Sequence, residues 1–314
     1  MTSATPTRPL PTTPRHSQPR RRRPVVVAVL VLVLLVAGGG LAWWHGSIGT
    51  MTLRPHCTAT ALGRTTEVSP EQAGNAAIIA AVAVRRSLPG RAATIGIAAA
   101  LQESKLVNLP GGDRDSIGLF QQRPSQGWGT PQQIRDPVYA TNAFYDVLVK
   151  VEGYQNLAIT AAAQTVQRSA FPSAYADREP EARILASTLT GYSPAGLSCV
   201  LPSAGAATTA APDAAGLTPR ARAVVAAASR ETGRIGAAVP GAPGTVRFTL
   251  TGATGPTQAW ALAQWAVARG QDLDVVSVET DGRRWDRDRP DRTWTPTSGA
   301  AGPGVVVIRT ANGG

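Results

Sequence analysis

The chain has 314 residues, 43% of them hydrophobic, and a formal net charge of +11. That length points to two domains, with enough apolar material for a packed core. The charge does not mark a nucleic-acid binder: six arginines and no acid fall in residues 1–23, while 24–199 and 200–314 carry only +2 and +3, with no clustered basic face.

In chain order, residues 1–23 are rich in Pro, Thr, Ser and Arg and read as a disordered cytoplasmic tail. Residues 24–45 read as a transmembrane helix. Val25 to Trp44 is a run of twenty residues without charge, about 30 Å at helical rise and so the thickness of a bilayer core. Arg20–Arg23 directly precede it, which places the N-terminus in the cytoplasm. The expectation is a single-pass protein of the cell membrane with its bulk extracytoplasmic. Gly40-Leu41-Ala42 also fits a signal-peptide cleavage site, but the apolar run exceeds the usual ~7–15-residue h-region, which favours the anchor. Under either reading the remainder is exported, and there the two cysteines, Cys57 and Cys199, suggest one disulfide.

Residues 46–199 read as a helical domain. Ser69-Pro70-Glu71-Gln72 is a capping box with proline at the first helical position, and Pro89-Gly90 stops the helix it opens. A second helix spans about residues 92–106, with Glu103 near its end. Thr130-Pro131-Gln132-Gln133 repeats the capping box, Asp136-Pro137 starts a long helix, Thr160 caps a short helix to Arg168, and a last helix covers about 178–190. The Gly-, Pro- and Ser-rich stretch 107–129 is a long loop inside a helical domain, a feature more often functional than idle. Residues 200–217 read as a linker. Residues 218–314 form a small α/β unit with helices at 218–232 and 256–269 and strands at 245–251, 274–280 and 304–309. The expected fold class is therefore mainly α: an N-terminal transmembrane helix, a helical domain and a small C-terminal α/β domain.

The chemistry concentrates in Gln102-Glu103-Ser104 and in Gly112-Asp113-Arg114-Asp115-Ser116-Ile117-Gly118-Leu119-Phe120-Gln121-Gln122. A glutamate closes an apolar helix, and a Ser-x-Gly-apolar-aromatic-Gln turn follows within fifteen residues. Over residues 70–190 this resembles the lysozyme-like superfamily, closest to lytic transglycosylase domains of the soluble-transglycosylase type in exported, membrane-anchored form. The resemblance implies cleavage of peptidoglycan glycan strands, with Glu103 as general acid and then base. Cleaving a glycosidic bond needs a carboxylic acid still protonated near neutral pH, and apolar neighbours such as Ala98–Leu101 and Leu106 favour that state. Asp115 is the candidate second carboxylate, open between a catalytic and a turn-forming role, because lytic transglycosylases need only the glutamate. Ser104, Ser116, Gly118, Gln121, Gln122 and Trp128 are the expected substrate contacts.

The family's late Ala-Tyr-Asn motif is replaced by Ala163-Gln164-Thr165-Val166-Gln167 and Ala174-Tyr175-Ala176, so Gln167 or Tyr175 is expected to supply that contact. No cofactor is implied. The C-terminal unit weakly resembles wall-protein domains related to zinc peptidases, but His16, His45 and His56 all precede it, so no zinc site of that type is expected. The alternative reading is a non-catalytic wall-binding or scaffold protein on the same fold.

Overall fold

The computed structural model describes residues 1–2, 54–168, 173–205, 211–289, 293–299 and 301–311. The chain opens there with strands β1 (His56–Ala61) and β2 (Arg64–Val68). Leu62 and Gly63 turn the hairpin with positive φ at both positions, the backbone that a right-twisted two-residue hairpin requires. In β1 Cys57, Ala59 and Ala61 are buried and their neighbours are not, the period-two pattern of a sheet with one face on a core.

Helix α1 (Pro70–Arg85) starts at the Ser69–Gln72 capping box. Helix α2 (Gly90–Ser104) is buried at every position from Ala92 to Leu101. Its closeness to its neighbours rests on Gly96, where a Cβ would meet Ile79 Cγ2 and Tyr145 Oη, both at 3.0 Å. After the 107–129 loop come α3 (Pro131–Ile134), α4 (Pro137–Leu148), α5 (Ile159–Gln167) and α6 (Glu179–Leu189). Helix α5 is entered from Ala158 with no side-chain cap, so Thr160 does not cap it. Strand β3 (Leu197–Val200) then returns to pair antiparallel with β1, in the order β2-β1-β3. That pairing sets Cys57 directly opposite Cys199, and the two are joined as a disulfide.

The second part contains α7 (Pro219–Thr232), β4 (Ala237–Val239), β5 (Ala242–Thr249), α8 (Gly255–Ala268), β6 (Val275–Thr280), β7 (Arg283–Asp286), β8 (Thr295–Pro296) and β9 (Val305–Thr310). Its strands form one antiparallel sheet in the order β4-β5-β9-β6-β7-β8. Helix α8 lies against that sheet and also against α1, α6 and β3. Gln264 on α8 is fully buried and joins the two parts: its Oε1 accepts Leu197 N–H at 2.8 Å and its Nε2 donates to the Thr188 carbonyl at 2.6 Å. At Gly191 the Thr257 carbonyl lies 1.9 Å from where a Cβ would stand, so only glycine admits that contact. Residues 54–314 are accordingly one compact unit.

Two expectations are corrected. The fold is not mainly α but mixed α/β, with two antiparallel sheets. The three-stranded sheet lies within the stretch expected to be helical, and it escapes local reading because β1 and β3 meet across more than a hundred residues. The single-pass anchor and the extracytoplasmic placement drawn from it have no structural support. Residues 24–45 lie outside the described residues, as does the tail before them, and among the described residues no helix is long and apolar enough to cross a membrane. The longest, α1, has 16 residues, about 24 Å and short of a bilayer core.

Candidate active site

Glu103 sits in the last turn of α2, half-buried. The helix ends because Lys105 takes the left-handed conformation, φ 56°. Lys105 N–H then bonds the Leu101 carbonyl and Leu106 N–H the Ala100 carbonyl, both at 3.1 Å, which closes the orphan carbonyls of the helix end. Helix α1 clamps this end from outside. Gln72 Nε2 donates to the Lys105 carbonyl at 2.9 Å and Asn75 Nδ2 to the Leu106 carbonyl at 2.8 Å.

The Ser-x-Gly-Leu-Phe-Gln turn is fastened behind Glu103 by the chain's own hydrogen bonds. Ser104 Oγ donates to the Leu119 carbonyl at 2.7 Å. Gln167 Nε2 holds the Phe120 carbonyl at 2.8 Å, and Gln122 Nε2 holds the Ala140 carbonyl at 3.1 Å. Gln121 Nε2 donates back to the Gly118 carbonyl at 3.1 Å. Gly118 has φ +79°, and a Cβ there would stand 2.8 Å from the Ile134 carbonyl. The glycine is therefore needed for approach of this chain's backbone. Phe120 stacks on Phe144 with ring centroids 4.7 Å apart, which anchors the turn in the core.

Tyr175 is the residue that meets Glu103. Its ring is fully buried and its hydroxyl donates to Glu103 Oε1 at 2.5 Å. The 3₁₀ turn after it, Ala176–Arg178, brings Arg178 to the same helix end, where Arg178 Nε donates to Gln102 Oε1 at 3.1 Å. Among the described residues Glu103 Oε2 accepts no hydrogen bond.

Asp115 has a different role. Its Oδ1 accepts Arg123 Nε and its Oδ2 accepts Ser125 N–H, each at 2.8 Å. The Arg123 guanidinium and the Ser125 donors hold its carboxyl well below the usual carboxylate range, against a small opposing effect of burial. Asp115 closes the 115–125 loop through these two bonds, and its contacts favour the turn-forming side of that open choice.

Of the expected site residues, the structure brings Glu103 and Tyr175 into contact. Ser104, Gln121, Gln122 and Gln167 bond backbone carbonyls of the turn and its surroundings. Ser116 is buried, and Trp128 is half-buried against the core. Arg178 and the role of Gln102 were not anticipated. They lie some seventy residues apart, and no local pattern marks either. Three concavities, of about 20, 280 and 180 Å³, lie on other parts of the described surface, and Glu103 lines none of them. No protein-family model matches this chain, and no curated protein matches it either.

Proposed function

We propose that this chain is a peptidoglycan-cleaving enzyme of the lysozyme-like kind, with Glu103 as its one catalytic carboxylate, acting as a lytic transglycosylase does. The observation that carries the reading is the 2.5 Å hydrogen bond from the buried Tyr175 hydroxyl to Glu103 Oε1, which orients the carboxyl and leaves Oε2 for proton transfer. Glu103 protonates the glycosidic oxygen as the bond to the anomeric carbon breaks. A second enzyme carboxylate is not called on, since both oxygens of Asp115 are engaged by Arg123 and Ser125. The substrate completes the reaction itself. Its acetamido oxygen meets the anomeric carbon, and its own C6 hydroxyl then displaces that oxygen to form a 1,6-anhydro ring. The ionised Glu103 takes the hydroxyl proton and returns to its starting state.

A non-catalytic wall-binding role is the second reading. It is favoured by the number of motif side chains, Ser104, Gln121, Gln122 and Gln167, whose hydrogen bonds stay within the chain. The test is digestion of purified peptidoglycan by the full-length protein and its Glu103→Gln variant, with products read by mass. Anhydro-muropeptides from the parent alone support the transglycosylase. Reducing-end products would make it a hydrolase. No product from either protein, with wall binding intact, would replace the enzyme by the binder.

A further inference from the structure

We propose that the rim of the Glu103 site holds a carboxylate-recognition site, centred on Arg178 and assisted by Lys105, that engages the peptide stems carried by the muramyl sugars. This rests on the glycan-directed reading above and names the substrate feature that the site selects. Tyr175 and Arg178 are delivered by one turn: Arg178 N–H bonds the Tyr175 carbonyl at 3.2 Å. One end of that turn touches Glu103 and the other touches Gln102, the residue before it.

Only Nε of Arg178 is engaged. Its two terminal nitrogens have no hydrogen-bond or ion-pair partner among the described residues, and the side chain is half-buried. Three other arginines of this part are held in ion pairs, Arg86 with Asp146, Arg123 with Asp115 and Arg183 with Glu179. Glu181, which accepts from Thr66 Oγ1 at 3.5 Å, feels the Arg178 charge without an ion pair to it, and Asp177 and Glu179, which flank Arg178 in the chain, form none with it either. A guanidinium fixed by one nitrogen, with its outer edge open, is organised for bidentate capture of a carboxylate.

Lys105 adds a second cation two residues from Glu103. It is exposed and, among the described residues, makes no ion pair. Peptide stems bear free carboxylates and hang from the muramyl lactyl group, beside the bond that Glu103 would break. A neutral N-acetylglucosamine polymer offers no such group, so the two classes of ligand separate carboxylate capture at Arg178 from sugar contacts near Glu103.

The experiment is equilibrium binding of two probes to the full-length protein: a 1,6-anhydro disaccharide tetrapeptide, which presents stem carboxylates and has no further bond to cut, and neutral chitotetraose. Arg178→Met should weaken the peptide probe about ten-fold, the loss expected for one charge-assisted hydrogen-bonded pair. Lys105→Met should cost about two- to three-fold, as for an exposed charge. Arg178→Lys should restore part of the affinity, and added salt should weaken the peptide probe alone. Chitotetraose affinity should not change in any variant. Equal loss of both probes would show a structural role for Arg178 and overturn the proposal, as would unchanged binding of the peptide probe. Arg178-dependent binding by a parent protein that never cuts peptidoglycan would keep this site and remove the catalytic reading instead.

Discussion

Replacing Tyr175 with phenylalanine removes one oxygen and leaves the volume of a fully buried ring in place. What is lost is the 2.5 Å bond to Glu103 Oε1. A hydrogen bond to a charged group contributes about 1.5–3 kcal/mol. If that contribution is felt mainly in the transition state, the rate falls by about 10- to 150-fold. The expected outcome for Tyr175→Phe is a drop of that size in kcat on peptidoglycan with KM little changed, the pattern of an interaction that orients the acid without holding substrate. The assay is initial release of soluble muropeptides, with circular dichroism to verify the fold. In the Glu103→Gln background the same change should add almost nothing, because the two groups act as a unit. A Tyr175→Phe protein that cleaves at the parent rate, beside an inactive Glu103→Gln, would refute the orienting role.

Other outcomes follow from the scaffold. Gln264→Leu should destabilise the protein by about 2–5 kcal/mol, because it leaves the Leu197 N–H and the Thr188 carbonyl buried and unpaired; urea denaturation reads this directly. Reducing the Cys57–Cys199 disulfide, with its sequence separation of 142, should cost about 4–5 kcal/mol on the chain-entropy account, seen as a lower melting temperature in reductant. Glu231 sets a pH dependence. Burial pushes its carboxyl up, partly offset by Arg269 and the Trp265 N–H. Its folded value then lies above its unfolded one, so the contribution of Glu231 to stability is fully present below about pH 4, the ordinary glutamate range, and is lost as pH rises through the raised value. Glu231→Gln should flatten that decline in denaturation curves taken between pH 4 and 8.

The helices were legible because their ends are written locally. Ser69 with Gln72 and Thr130 with Gln133 each form the reciprocal cap that their spacing announces, and Asp136 caps α4 through the N–H groups of Val138 and Tyr139. The first sheet was not legible. Its strands are short and carry few large apolar residues, and its third strand is supplied by Leu197–Val200, whose partner is fixed only by the tertiary fold. The short strands β4 and β8, of 3 and 2 residues, show no period at all. On sequence Tyr175 and Gln167 are equal candidates for a contact near Glu103. The structure separates them: Gln167 goes to the Phe120 carbonyl and Tyr175 to Glu103. Arg178 gave no signal because its meaning depends on Gln102, which lies across the chain.

The motif and its glutamate are constrained in different ways. Ser104, Gly118, Gln122 and Gln167 are each required by a partner inside the protein, so folding alone accounts for their identities. Glu103 is not required in that sense. It lies in the last turn of α2, which carries no basic residue, and there the negative end of the helix dipole opposes an anion by about 0.3–1 kcal/mol. It forms no ion pair among the described residues, and a neutral amide oxygen would still accept the bond from Tyr175, in weaker form. Folding would therefore be served as well by glutamine. Glu103→Gln is expected to leave the protein as stable as the parent or to raise its stability by up to about 1 kcal/mol, while ending cleavage. Gains of stability on removing an active group mark a residue kept for chemistry. A clear loss of stability in that variant, read by urea denaturation, would instead make Glu103 and Tyr175 a structural pair and move the weight of the argument to the wall-binding reading.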